Sequence, residues 1–418
     1  MTHLMMRDEL LDAQLLRAVG SAAHHGADVG ECLQAVSSVD EKDLSTWYAA
    51  WKALADRTFA LAQAAEEAAE RTAARDAYLR ACTYHRTSGA MLYGLPGDPR
   101  MTLMALMAQT NAAQTDAFRR AAALLDTPVE VVEVPFEGTT LPGYFLTPST
   151  PSAPSAETGV RRATVIGLGG YDGTCEELYF FFAAPALARG YNVLIFDGPG
   201  QGAALLQQGL PMRPDWETVV TPVVDYLLTR EDVDGERIAL AGLSLGGFLG
   251  PKAAAKEHRL AALVADSGSF DMYAMATDRI PGPLAAGYQA GKPMATRALR
   301  AILGRLVERP TAGWGLRRGM AVHGVGSPLD YFEVLKDFRL QGHAQTISCP
   351  TLVTYAEGDD IGASAPQLFA SLTVTDKTLV QFTAAEGAGD HCEAGARTLF
   401  DARAFGWLDQ RLHPEKLA

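Results

Sequence analysis

The sequence has few cysteines and no long apolar run. Its five cysteines are scattered and form no C-x-x-C pair; they are Cys32, Cys82, Cys175, Cys349 and Cys392. An odd, scattered set argues against a disulfide framework and a structural zinc site, and it favours a reducing compartment. No apolar run reaches about 18 residues, and Arg7, Asp8 and Glu9 stand where a signal peptide needs an apolar stretch. We therefore expect a cytoplasmic protein without a membrane span.

Positive charge is also scarce. The chain of 418 residues has 36 Lys and Arg against 49 Asp and Glu, which gives a formal net charge of −13. Such a surface disfavours contact with the phosphates of nucleic acid or with anionic lipid. We expect neither nucleic acid nor a membrane as a partner, and a small molecule fits better.

Apolar residues are abundant, at 48% of the chain, and their spacing differs between two regions. Over residues 45–93 and 101–125 they recur at helical spacing, as at Trp47, Trp51 and Leu54. An array of helical repeats would look similar, but no self-similarity at a period of about 34 residues is present. The spacing predicts an all-helical N-terminal domain over residues 1–125.

From residue 126 the pattern is that of strands alternating with helices. Two alternating stretches, Val129–Pro135 and Leu141–Leu146, predict a hairpin. The further predicted strands are Ala163–Leu168, Tyr191–Phe196, Arg237–Ala241, Leu260–Ala265, Thr351–Tyr355 and Thr378–Phe382. Strands separated by helical stretches are typical of a mostly parallel sheet with helices on both faces. We therefore predict an α/β domain over residues 126–418.

One interval of this second domain is too long for a plain crossover between strands. Residues 270–348 carry helical patterning around Thr296–Leu306 and Gly315–Val322. Long connections of this kind are usually functional, as active-site lids are. We predict a lid inserted into the α/β domain.

The motif that carries chemistry follows the strand that ends at Ala241. Gly242-Leu-Ser244-Leu-Gly246 is G-x-S-x-G, and a helical stretch follows it. In this strand–turn–helix context the motif is typical of a nucleophile elbow, in which small flanking residues permit a sharp turn that exposes the serine. A short Gly/Ser pattern also occurs by chance. Ser244 is therefore a candidate nucleophile, and the assignment depends on whether the sequence also offers a base and an acid.

A serine hydroxyl needs a base that is oriented by a third group. In α/β-hydrolases the acid and then the histidine follow successive late strands. Here Glu357, Asp359 and Asp360 follow the last but one predicted strand, and His391 follows the last in a glycine-rich loop. We predict that Asp359 is the acid, with Asp360 as the alternative, and that His391 is the base.

Backbone N–H groups near the serine are needed to stabilise an oxyanion. Leu245, directly after the nucleophile, offers one donor, and Tyr171 in the loop Gly167–Gly173 offers the second. The same loop could bind a dinucleotide, but Asp172 stands where G-x-G-x-x-G requires its third glycine. We predict Tyr171 and Leu245 as the oxyanion donors.

Other conspicuous residues have plainer explanations. Thr174 and Glu177 have the spacing of a capping box at a helix start. Cys175 and Cys392 are less favourable nucleophiles than Ser244 because neither lies in an elbow. Walker A, H-E-x-x-H and EF-hand patterns are absent, so the sequence predicts no metal and no cofactor.

Five segments together resemble one family. They are Gly169–Glu177, Asp197–Gly202, Arg318-Gly-Met320 with Gly324-Val325, Cys349–Val353 and His391-Cys-Glu393. The combination is similar to the α/β-hydrolase group that contains 2,6-dihydroxypseudooxynicotine hydrolase, the fungal polyketide-shortening hydrolases of pigment pathways and FrsA-like esterases. The N-terminal helical region is also similar in length and character, so the resemblance covers nearly the whole chain.

This resemblance implies an α/β-hydrolase fold with the helical region as a cap over the site, and a homodimer. It implies a triad of Ser244, Asp359 and His391, although Asp360 stands where the family commonly has proline. It also implies that the bond cleaved can be a C–C bond beside a ketone. Some C–C hydrolases of the group use an additional carboxylate, for which Asp271 is the candidate.

The sequence thus predicts a serine hydrolase for an ester or a ketone-adjacent C–C bond in a small hydrophobic, aromatic or polyketide-like substrate. Because pockets are mostly apolar with few polar anchors, Phe270, Tyr273 and Trp314 are candidate substrate contacts, and the resemblance adds Asp271. Two alternatives stay open. One is a cyclase or acyltransferase whose acyl-enzyme reacts with a nucleophile other than water. The other is a non-catalytic helical interaction protein with a degenerate hydrolase domain.

Overall fold

The N-terminal part of the chain is helical in the computed structural model, which describes residues 3–95, 103–149, 161–278 and 280–412. Its helices are α1 (Glu9–Gly20), α2 (Val29–Val36), α3 (Leu44–Glu67), α4 (Arg71–Gly89) and α5 (Met104–Leu124). Aspartates are the N-cap residues of α1, α2 and α3. The side chains of Asp8, Asp28 and Asp43 accept hydrogen bonds from backbone N–H groups in the first turn of these helices. The predicted helices are confirmed, except that residues 96–102 lie outside the described residues.

Aromatic side chains form the centre of these helices. The rings of Trp47 and Trp51 lie 5.6 Å apart, and Trp51 lies 5.8 Å from Tyr84. All three side chains are fully buried. Burial of such large rings stabilises the packing of α3 against α4, which propensity alone would leave marginal.

The predicted hairpin is confirmed. Strands β1 (Val129–Phe136) and β2 (Thr139–Leu146) pair antiparallel through a two-residue turn. Both turn residues have positive φ, 43° at Glu137 and 83° at Gly138. Turns of this kind suit the right-handed twist of paired strands, and glycine adopts them without strain.

Within the described residues, eight strands form one sheet in the order β1-β2-β4-β3-β5-β6-β7-β8. After the hairpin they are β3 (Arg162–Leu168), β4 (Asn192–Phe196), β5 (Val233–Leu243), β6 (Ala262–Asp266), β7 (Thr351–Ala356) and β8 (Lys377–Phe382). Pairing is parallel from β4 to β8. The predicted mostly parallel sheet is therefore confirmed, and the carboxyl ends of β5, β7 and β8 meet at one edge.

Helices cover both faces of this sheet. They are α6 (Cys175–Leu178), which continues through a π-helical turn into α7 (Ala184–Leu187), α8 (Gly202–Leu206), α9 (Glu217–Leu228), α10 (Gly246–Ala254), α16 (Ala365–Ser371) and α17 (Arg397–Leu412). Two apolar cores result, and one of them also takes Tyr78 and Phe118 from the N-terminal helices. In the part of the chain that the structure describes, none of the helices has the length and apolar character needed to cross a membrane.

The chain between β6 and β7 is helical, as expected for an inserted lid. Its helices are α11 (Met272–Thr277), α12 (Gly282–Gln289), α13 (Pro293–Leu306), α14 (Pro310–Val322) and α15 (Pro328–Leu335). The insertion contacts the N-terminal helical region, because the indole N–H of Trp314 donates to the Ala90 carbonyl at 2.8 Å. Arg317 donates to the Gly94 carbonyl, also at 2.8 Å.

A buried charge cluster joins these regions to the loop after β3. Asp172 accepts from Arg17 at 3.2 Å, from Arg86 at 3.1 Å and from Arg318 at 3.3 Å. Burial opposes ionisation, but the three guanidinium charges hold the pKa of Asp172 well below its usual range. The aspartate therefore stays charged and links α1, α4 and α14.

The predicted capping box is only half present. Thr174 caps α6 by accepting the N–H of Glu177. The carboxylate of Glu177 instead binds Arg17, with contacts of 2.5 and 2.7 Å. A buried carboxylate gains more from two charged hydrogen bonds than from one backbone N–H, so Glu177 joins the charge cluster.

Replacing Asp172 by Asn should destabilise the protein by about 3 kcal/mol, because Arg318 would lose its ion pair and Arg17 and Arg86 would be left to share the carboxylate of Glu177. Asp56→Asn is the control, since Asp56 pairs with Lys52 at the surface, and it should change stability by less than about 0.5 kcal/mol. Denaturant unfolding of both variants measures the difference. Equal midpoints for the two variants would contradict the stabilising role of the cluster.

Candidate active site

Ser244 lies in a sharp turn between β5 and α10, with φ at 62°. Close backbone contacts explain the flanking glycines. A Cβ added to Gly242 would lie 2.0 Å from the Gly246 carbonyl oxygen, and one added to Gly246 would lie 2.7 Å from the Leu168 carbonyl oxygen. Only glycine fits at both positions, so the predicted elbow conformation is present.

The structure brings Ser244, His391 and Asp359 into one line of contacts. The Nε2 atom of His391 lies 2.8 Å from Ser244 Oγ. The Nδ1 atom lies 2.8 Å from Asp359 Oδ2. Asp359 is buried, whereas Asp360 is exposed. The geometry therefore favours Asp359 over Asp360 as the partner of His391.

Asp359 is oriented by groups that the sequence did not reveal. The Ser267 hydroxyl donates to Asp359 Oδ2 at 2.6 Å, and the Ile361 N–H donates to Oδ1 at 2.9 Å. Ser267 follows β6, 92 positions before Asp359, so no local spacing links the two. The His391 loop is also held, since Arg397 donates to the Cys392 carbonyl at 2.8 Å.

The two predicted oxyanion donors lie in backbone segments that contact each other, the turn after β5 and the loop after β3. Leu245 follows Ser244 directly, and a Cβ added to Gly170 would lie 2.8 Å from Ser244 Cβ. Gln201 Nε2 donates to the Gly170 carbonyl at 3.1 Å. Since the peptide group is planar and trans, this contact turns the Tyr171 N–H away from Gln201. Sequence reasoning assigned no role to Gln201.

A cavity of about 340 Å³ opens in front of Ser244 and His391. Helix α1 contributes to its wall together with the lid helices α11, α14 and α15. Apolar and aromatic lining residues include Leu10, Leu16, Met272, Met275, Trp314 and Tyr331. Trp314 thus contacts the cavity, as expected of a substrate contact, and Asp359, Leu245 and Tyr171 also line it.

Three of the four expected substrate contacts, Phe270, Asp271 and Tyr273, are not among the residues that line this cavity. Phe270 and Tyr273 are buried in the sheet core. Asp271 caps α11 by accepting the Ala274 N–H at 2.8 Å, and its carboxylate lies 3.3 Å from Arg339. Capping and ion pairing therefore account for Asp271.

A buried polar chain beside the cavity was also missed. The Tyr171 hydroxyl lies 2.6 Å from Nε2 of His323 and 3.1 Å from the Tyr331 hydroxyl. Burial lowers the pKa of His323 to about 4, so this imidazole is neutral near pH 7. These hydrogen bonds fix the side chain of Tyr171, whose backbone N–H is the predicted second oxyanion donor.

The electrostatics of His391 and Asp359 suit a base and its orienting acid. Burial opposes the charged form of His391, but the Asp359 carboxylate raises its pKa well above the usual value. Burial also opposes the charged form of Asp359 and would raise its pKa. The charge of His391 and hydrogen bonds from His391, Ser267 and the Ile361 N–H outweigh this effect and lower the pKa. Asp359 is therefore ionised and holds the Nδ1–H of His391.

Comparison with known proteins identifies the family. Residues 167–406 match the alpha/beta hydrolase family, and the chain belongs to it. The hydrolase LUC6 of a Fusarium species is 34% identical over 98% of this chain and 98% of its own length. The 20-hydroxy-prefusarin hydrolase FUS2 of Gibberella moniliformis is 34% identical over 97% of both chains.

A solved structure supports the same fold. The crystal structure of 2,6-dihydroxy-pseudo-oxynicotine hydrolase has a TM-score of 0.71 to this chain, with 22% identity over 95% of this chain and 96% of that one. The predicted α/β-hydrolase fold and family resemblance are confirmed. The chain is a hydrolase of the α/β type, and the alternative of a non-catalytic interaction protein is wrong.

Because His391 must be neutral to accept a proton, hydrolysis of an activated aryl ester should fall as the pH drops through the pKa of His391. The Asp359 charge should put this midpoint above about 6.5, the value of a free imidazole. Asp359→Asn should move the midpoint down and lower kcat on the order of 10⁴-fold. A pH–rate profile of both proteins measures this, and an unshifted midpoint in the variant would speak against the assigned roles.

Proposed function

We propose that the chain is a serine hydrolase in which Ser244 is the nucleophile, His391 the general base and Asp359 the group that orients the base. The observation that carries the proposal is the line of two 2.8 Å contacts from Asp359 through His391 to Ser244. These residues follow β5, β7 and β8 at the same edge of the sheet and face one cavity. This arrangement is what a hydroxyl nucleophile needs at neutral pH.

In the proposed reaction, His391 Nε2 accepts the Ser244 proton while Oγ attacks a carbonyl carbon. The oxyanion accepts hydrogen bonds from the N–H groups of Leu245 and Tyr171. As the tetrahedral intermediate collapses, the Nε2–H protonates the leaving alkoxide or enolate, which leaves an acyl group on Ser244. A water molecule, deprotonated by the same nitrogen, then releases the acid and restores the serine.

The substrate class that we propose is a small hydrophobic ester or β-diketone, aromatic or polyketide-like. Its support is the cavity of about 340 Å³, whose lining includes several large apolar and aromatic side chains beside Ser244 and His391. Two related hydrolases are named for 20-hydroxy-prefusarin and 2,6-dihydroxy-pseudo-oxynicotine. For C–C cleavage the departing carbon needs a proton, and His391 is the donor in our proposal, because Asp271 does not line the cavity.

We further propose that the N-terminal helices act as a cap. Leu10 and Leu16 of α1 line the cavity opposite the strand ends, and Arg17 of the same helix joins the charge cluster at Asp172. A cap of this kind excludes water from the site and shapes the cavity. The division into domains at residue 125, the homodimer and the cytoplasmic location stay predictions.

Ser244→Ala should abolish labelling by a fluorophosphonate probe, because the probe phosphonylates an activated serine. The matched control is Cys392→Ala, which removes the other nucleophilic atom near His391, 3.4 Å from Nε2. The control should label like the unaltered protein. Labelling of Ser244→Ala at the unaltered rate would rule out the assignment.

A further inference from the structure

A second cavity of about 320 Å³ lies away from the proposed active site, and the two share no lining residue. It is bounded by α5, β2, the start of α6 and the loop after β4. Among the acidic and cysteine side chains that line it, Cys175, Glu176 and Asp197 form a close group of potential metal ligands. No step of the proposed reaction uses them.

These ligands are close enough to share one ion. The Cys175 sulfur and one carboxylate oxygen each from Glu176 and Asp197 all lie within 4.8 Å of one another. All three residues are buried, with exposed fractions of 2%, 2% and 1%. They come from two segments, the first turn of α6 and the residue directly after β4.

One carboxylate oxygen of Glu176 lacks a hydrogen-bond partner. Its Oε1 accepts from Thr115 Oγ1 at 2.8 Å and from Tyr144 OH at 3.0 Å. Its Oε2 is fully buried and has no hydrogen-bond partner. A buried carboxylate oxygen without a partner is unfavourable because it has lost its hydration, so such groups are normally paired or bound to a metal ion. The unpartnered oxygen therefore points to a ligand.

We propose that Cys175, Glu176 and Asp197 bind one divalent ion of the zinc class. A sulfur with two carboxylate oxygens suits Zn²⁺, whereas Mg²⁺ and Ca²⁺ prefer oxygen ligands alone. The adjoining cavity supplies room for a water molecule as the fourth ligand. When the metal–sulfur bond forms, the Cys175 thiol loses its proton to the solvent.

The ion would connect parts of the fold that surround the proposed active site. Asp197 also accepts the backbone N–H of Cys175 at 2.7 Å and that of Ala203 at 2.8 Å. Its loop continues to Gln201, which holds the oxyanion loop through Gly169 and Gly170. Metal binding would therefore stabilise the loop next to Ser244 without contact with the substrate.

A shared proton is the competing occupant of the site. Burial and the neighbouring charge of Glu176 raise the pKa of Asp197 to about 8. One proton held between the two carboxylates would lower their repulsion without a metal. The two occupants differ in a way that can be measured, because a proton gives neither cobalt absorption nor dependence of stability on zinc.

The test uses the full chain, freed of metal by a chelator and titrated with Co²⁺ as the spectroscopic substitute for zinc. The unaltered protein should bind one Co²⁺ per chain with a thiolate-to-cobalt charge-transfer band. Cys175→Ala should lose the band, and Cys349→Ala, which removes a buried cysteine elsewhere, should keep it. Absence of the band in the unaltered protein, or its survival in Cys175→Ala, would overturn the proposal.

Glu176→Gln keeps the side-chain shape and provides a second measurement should Cys175→Ala fail to fold. Zinc should raise the thermal midpoint of the unaltered protein and of Cys349→Ala, because a ligand of the native state stabilises it. Zinc should raise the thermal midpoint of Glu176→Gln by less than half as much as that of the unaltered protein. A midpoint that zinc leaves unchanged in the unaltered protein would show that the native state does not bind zinc, and the proposal is then wrong.

Discussion

The positive φ of Ser244 is the constraint on which the site depends. A non-glycine residue in this conformation costs about 1–3 kcal/mol, and the surrounding structure must supply it. Backbone atoms enclose the turn closely. A Cβ added to Gly247 would lie 2.3 Å from the Asp266 carbonyl oxygen, and one added to Gly246 would lie 2.7 Å from the carbonyl oxygen of Leu168, the last residue of β3. The turn after β5 therefore packs directly on the turns after β3 and β6. The same contacts bring the oxyanion loop and Ser267 to the serine.

A second constraint is the charge of Asp172, a largely buried carboxylate in the loop after β3. Arg17 of α1, Arg86 of α4 and Arg318 of α14 all donate to it. These helices belong to the N-terminal region and to the lid. Since charges of both signs are buried together, separating the regions would expose or unpair them at a large cost. Asp172 thus connects the parts of the chain that enclose the cavity in front of Ser244, together with Glu177 and the contacts of Trp314 and Arg317.

The strands, the elbow and the order of Ser244, Asp359 and His391 could be predicted because each depends on a local pattern that ends at a strand. The contacts between segments that are distant in the sequence could not be predicted, because no local pattern marks them. Ser267 and Gln201 look like ordinary loop residues in the sequence, and His323 lies in a helical stretch without a motif. Glu177 has capping-box spacing, yet its partner is Arg17, 160 positions away. The family resemblance suggested Asp271 as an additional carboxylate, but only the structure shows that this side chain caps α11 and pairs with Arg339.

The central claim is that Ser244 becomes acylated during turnover. The direct measurement is rapid acid quenching of the protein with an activated aryl ester, followed by peptide mass spectrometry to locate the added acyl group. The account predicts the group on the peptide that contains Ser244, at up to one per chain. An acyl group on Cys392, whose sulfur also lies near His391, or turnover without any acylated peptide, would contradict it.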